Sequence, residues 1–327
     1  MVPVLGIALL VATAPGTPAA APAVKSAAPV KPAKRPDGFK VVGYFASWSG
    51  GVEHVQWNRL THVNFAFVVP TREGGLKPVG GLTHLPALVK AGKAHKVPVS
   101  IAVGGWNDGD DSAFEHIAVR PELRAAFVRN LLDFVARHQL DGVDIDWEYP
   151  EEGASAAGFL ALMKDLRAAL APQGKLLTAA VVSLGYYGAG IPDGAFALVD
   201  FLNIMAYDAD DGGEKLVHHS PYDFAERSLR YWLQRGLPKE KAILGVPFYG
   251  KKPFTAYRKL VARDPEAPKK DQVGEIRYNG IATIKRKTAL ARAEGGGIMI
   301  WELSDDTHDG TSLLKAISEA AALPVAR

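Results

Sequence analysis

The stretch DGVDIDWEYP, Asp141 to Pro150, decides the fold. Within it Val143, Ile145 and Trp147 alternate with Asp144, Asp146 and Glu148. Side chains of a strand alternate faces, so one face here is apolar and the other acidic, with acids about 7 Å apart along the strand. The apolar face suits a layer of helices. The acidic face must then point into a core, and three carboxylates there persist only if hydrogen-bonded, partly protonated or both. For a single strand Asp an ordinary ion-pair network would suffice as explanation. Three in alternation match the pKa-perturbing clusters that gather at functional sites.

On either side of this stretch, short β-rich runs alternate with helical patterns from Phe39 onward, as in a chain of βα units. The strands predicted are Lys40–Ala46, Thr61–Phe67, Val97–Val103, Gly142–Glu148, Leu176–Val182, Phe201–Tyr207, Ala242–Tyr249 and Gly297–Leu303. The helices predicted are Leu82–Lys96, Pro121–His138, Ala154–Ala171, Tyr222–Arg235, Asn279–Glu294 and Ser312–Ala322. Pro121 stands at the favoured first helical position, and Ser220 is expected to cap the helix that follows Pro221. Eight strands alternating with helices fit an α/β fold of the (β/α)8 barrel type, about 250 residues in its usual form. The rival, a doubly wound open sheet, would want a Gly-rich phosphate turn after its first strand, and FASWSGG offers no such spacing. In a barrel the chemistry collects at the C-terminal strand ends.

Composition agrees with one large globular unit: 327 residues, 48% hydrophobic and 22% charged. With no cysteine, disulfides, thiol nucleophiles and thiolate-bound metals are excluded. The N-terminus, residues 1–23, carries an apolar run from Val2 to about Thr13 followed by small residues, and is expected to be a secretory signal peptide. Residues 24–36 are Ala/Pro/Lys-rich, a linker pattern, and 37–327 form the barrel. Of the net charge of +3, Lys25, Lys31, Lys34 and Arg35 supply +4 before the first acid, leaving −1 for the remainder. That distribution gives no basic surface for nucleic acid. No membrane span is expected, since the apolar run is too short.

Glu148, last of the acids, sits where the strand opens to the active face. Carboxylates behind it and partial burial would raise its proton affinity, fitting it to protonate a leaving-group oxygen. Asp144 and Asp146 would titrate as a pair. Three carboxylates could instead hold a hard cation. The histidines lack ligand spacing, His218 and His219 being adjacent, so no metal is expected. The loop Asn107–Ser112, NDGDDS, lacks the spacing and terminal Glu of a calcium loop and reads as a turn and helix cap.

DGVDIDWEYP resembles the DxxDxDxE signature of glycoside hydrolase family 18, the chitinase family. GYFASW, THVNFAF, VGGW, MAYD (Met205–Asp208), GVPFYG and GGIMIWE resemble the family's other strands, and the likeness runs along most of Phe39–Leu323. The resemblance implies a β-1,4 glycosidase working on N-acetylglucosamine polymers such as chitin by substrate-assisted retention, without a cofactor. It implies Glu148 as acid and then base, Asp146 on the substrate's acetamido group, Asp144 behind it, and Asp141 supporting the strand's entry. Tyr207 and Asp208 would orient the acetamido group above Met205, and Trp301 would floor the reacting sugar. Phe45, Trp106, Tyr149 and Tyr249 are candidate sugar contacts, Tyr44, Trp48 and Tyr186 further ones, and Gly104 and Gly105 support the site. A monomer is expected. An endo-β-N-acetylglucosaminidase and a non-catalytic chitin-binding lectin are the alternatives. Glu148, Asp146 and Tyr207 favour an enzyme over the lectin, since all the roles are filled.

Two departures stand out. Ala102 occupies the place where the family's third-strand SxGG motif has a Ser that supports the buried aspartates, so another donor is required. Only Lys251–Gly296 lies between the seventh and eighth strands, so the family's α+β insertion is expected to be missing there. A shallower groove and endo-type cleavage would follow.

Overall fold

The computed structural model describes residues 38–209 and 217–322. The signal and linker readings, on residues 1–36, lie outside the described residues. Eight parallel strands form the barrel: β1 (Lys40–Ala46), β2 (His62–Pro70), β3 (Val99–Gly104), β4 (Gly142–Asp146), β5 (Leu176–Val182), β6 (Phe201–Met205), β7 (Ala242–Pro247) and β8 (Gly297–Trp301). They pair in chain order, β8 returns to β1, and the ring is closed. All eight coincide with the strands read from alternation, shifted by at most a few residues at their ends.

Alternation sets the two faces. Val143, Ile145 and Trp147 lie in the core between strands and helices, with Phe45, Phe65 and Ile101. Val42, Tyr44, Ala102, Ala180, Met205, Tyr207 and Met299 fill the barrel interior. The helix Pro121–Arg137 buries Phe127, Val128, Leu131, Phe134 and Val135. Leu123 and Leu132 on the same helix are partly buried and pack at the edge of this core.

Two local features differ from expectation, and one short helix is added to those predicted. Ser220 does not cap the helix Tyr222–Gln234; its hydroxyl donates to the Ala206 carbonyl at 2.7 Å and so ties down the chain after β6. A seven-residue helix, Ser112–Ala118, follows the NDGDDS turn. Between β7 and β8 the chain makes two small antiparallel ribbons, Tyr249–Gly250 with Thr255–Ala256 and Gln272–Val273 with Ile276–Arg277, and the short helix Tyr257–Arg263. As expected, no separate α+β domain is inserted between these two strands.

Candidate active site

At the C-terminal ends of the strands opens a cavity of about 390 Å³. Asp146, Glu148, Tyr207, Asp208, Met205 and Trp301 all line it, with Trp106, Tyr149 and Gly104. Asp144 lies beneath, fully buried, and accepts hydrogen bonds from Tyr44 Oη (2.5 Å), Thr178 Oγ1 (2.5 Å) and Asn203 Nδ2 (3.1 Å). In the register of the sheet, Asp144 is flanked by Ala102 on β3 and Thr178 on β5. The donor missing at Ala102 is therefore supplied from the opposite side.

Burial pushes Asp144 up to about 6, against the pull of its Thr178, Tyr44 and Asn203 hydrogen bonds. Asp146 is driven well above the usual carboxylate range, by burial first and then by the charges of Glu148 and Asp144. Its Oδ1 is buried without a protein partner. Asp146 and Glu148 therefore resist carrying two negative charges together and behave as a pair. Tyr149 donates a side-chain hydrogen bond to Glu148, and burial with that neighbouring charge holds its phenol well above the ordinary value. Tyr207 is likewise kept protonated, by burial and by the surrounding carboxylates.

Asp208 differs. Its Oδ1 receives Tyr249 Oη at 2.8 Å and His219 Nδ1 at 3.1 Å, and pairs with Lys251 Nζ at 3.0 Å. Burial opposes its ionisation, but the His219 bond, the Lys251 charge and the Tyr249 bond outweigh it and lower its pKa. Tyr249 is thus buried behind Asp208 and does not reach the cavity, contrary to the expected sugar contact.

Phe45 requires the same correction. It is buried on the helix side, stacked on Phe65 at 6.0 Å and edge-on to His84, while its neighbour Tyr44 faces the cavity. Trp301 is held edge-on by Tyr44 (5.6 Å) and stacked on Phe67 (5.4 Å, 22°). Trp48 and Trp106, 53% and 59% exposed, stand at the rim. Tyr186 is exposed but is not part of the cavity wall. Asp141 accepts the Val99 backbone N–H at 2.8 Å, fixing the start of β3 beside β4.

The glycines of VGGW make the close approach possible. Gly104 has φ +113°, and a Cβ there would lie 2.1 Å from the Asp146 carbonyl oxygen; Gly105, at φ +83°, would strike the Phe67 ring. The Gly105 N–H donates to that same Asp146 carbonyl at 2.8 Å. Any side chain at Gly104 would push β3 off the backbone that carries Asp146.

The sequence does not single out Phe67, Thr178, Asn203 or Lys251, and His219, weighed only as a metal ligand, serves instead as the partner of Asp208. For Thr178 and Asn203 the signal was present, each being a polar residue on the inward face of an apolar strand. Among the described residues, no group of three or more His, Asp or Glu is arranged to hold a metal ion, and no helix is long and apolar enough to cross a membrane.

Two neighbouring acids, a phenol and an indole thus line one cavity at the strand ends of a closed barrel. The chain belongs to the glycosyl hydrolases family 18, whose model matches residues 40–306. The GH18 chitinase ChiB of Flavobacterium johnsoniae superposes with a TM-score of 0.77 at 32% identity, over 86% of this chain and 94% of that one. Mouse chitotriosidase-1 is 28% identical over 83% of this chain and 74% of its own length. The Manduca sexta endochitinase is 28% identical over 65% of this chain and 45% of its own length. The chain spans half the length or less of several such relatives, and only 16% of the probable chitinase 10 of Drosophila melanogaster.

Proposed function

We propose that the chain is a chitinase that hydrolyses β-1,4 bonds next to N-acetylglucosamine by substrate-assisted retention. The observation that carries this is Asp146 Oδ1, a buried carboxylate oxygen without a protein partner on the cavity wall beside Glu148 and Tyr207. It is the acceptor that a substrate acetamido N–H would complete. Glu148 gives its proton to the glycosidic oxygen as the C–O bond breaks, and the acetamido oxygen attacks the anomeric carbon to form an oxazolinium ion. Asp146 stabilises the positive charge, Tyr207 orients the acetamido oxygen, and Trp301 carries the sugar's apolar face. Water then opens the ion, its proton returning to Glu148.

The test is Glu148→Gln on chitin oligomers. Hydrolysis should fall roughly 10²–10⁴-fold while oligomer affinity survives; retained activity would falsify the mechanism. Early product should be the β-anomer by NMR. We further propose that the protein acts outside the cell, on the pattern of residues 1–23. Secretion trials should recover from the medium a chain shortened near Ala19–Ala23, and a full-length chain retained inside the cell would contradict this.

A further inference from the structure

A second, small cavity of about 50 Å³ lies beside the main one. Gly104, Asn107 and Glu148 line both, so Glu148 forms part of the wall between them. The rest of the small cavity includes Asp110, Asp111 and Ala113, from the NDGDDS turn and the helix that follows it. Asn107 and Asp110 are exposed, so the cavity adjoins solvent on the side of the turn. Asn107, Asp108 and Gly109 all have positive φ, which arches the chain there. Trp147 Nε1 donates to Asp111 Oδ2 at 2.9 Å and pins this arch to the end of β4.

We propose that this cavity delivers the water that completes hydrolysis, bringing it to Glu148 from the side away from the sugar. The idea rests on the reaction proposed above. After the first step the departing sugar still covers the main cavity, where a second sugar hydroxyl competes with water for the oxazolinium ion. The volume suffices for a water or two, since about one probe sphere holds one, and the lining carboxylates and amide supply polar partners. The step balances simply. Water oxygen bonds to the anomeric carbon, the bond from that carbon to the acetamido oxygen breaks, and one water proton passes to the Glu148 carboxylate. Gly104 and Gly105 complete the lining between the turn and Glu148.

The test fills the cavity from Ala113, the second residue of its helix and part of the cavity lining. Wild type, Ala113→Ser, Ala113→Val and Ala113→Leu are given concentrated N-acetylchitotetraose. Mass spectrometry reads the ratio of transfer products, longer than the substrate, to hydrolysis products. The ratio should rise with side-chain volume, little for Ser and about five-fold or more for Leu. Because both products come from the same molecules, loss of folded protein cancels from the ratio. A flat series in a hydrolysing enzyme overturns the water route alone. A wild type that cleaves no N-acetylglucosamine oligomer overturns the proposed function and this inference together.

Discussion

Asp144 never meets the cavity, yet the site depends on how its charge is met. Three donors from three different strands converge on it: Tyr44, Thr178 and Asn203. Thr178→Val keeps shape but removes one of them, which should cost about 1–3 kcal/mol in urea unfolding. Adding Ala102→Ser, the register neighbour on the other side, should recover part of that loss; no recovery would mean that the two sides are not interchangeable. The folded-state pKa of Asp144, about 6, lies above its ordinary 3.8. Its contribution to stability is therefore full below 3.8 and lost as pH rises through 6, a change on the order of 3 kcal/mol. Asp144→Asn should flatten the unfolding free energy across that window, relative to wild type. At the same scale, Tyr44 and Phe45 show where alternation falls short. Both are aromatic, so the pattern GYFA does not reveal which one faces inward. Closure of the ring does.

Among the described residues, those flanking 210–216 are held by buried polar groups. Lys287, fully buried on the helix Ile281–Glu294, donates to the Ser220 carbonyl, the Ser220 hydroxyl and Asn279 Oδ1, each at 2.7 Å. Ser220 in turn holds Ala206, one residue before Tyr207, and His219 holds Asp208. Burial drives the Lys287 ammonium down to about 7. Lys287→Met would leave the Asn279 oxygen and Ser220 without this donor, costing about 2–4 kcal/mol by denaturant titration. Amide exchange at Ala209, whose N–H bonds the His219 carbonyl, should accelerate more than exchange in β4. Equal acceleration everywhere would mean that the lysine serves global stability only. A Lys in the helical pattern of 279–294 gives no sign of this in sequence, because an exposed lysine there would look the same.

Over the whole molecule, two ribbons and a short helix stand between β7 and β8 where an inserted domain would otherwise lie, and a shallower groove is expected on that side. Chitohexaose should accordingly be cut internally, with trimers and tetramers among the first products; release of disaccharide alone from one end would contradict the open groove. The sequence by itself determined the eight-strand repeat, the inward row Asp144–Asp146–Glu148 and the missing insertion, because alternation and segment length are local properties of the chain. Tertiary structure alone decided that Thr178 and Asn203 stand in for the donor absent at Ala102, that Tyr249 braces Asp208 from behind, and that Glu148 borders two cavities. Those relations depend on register between strands far apart in sequence, and closing the barrel is what fixes that register.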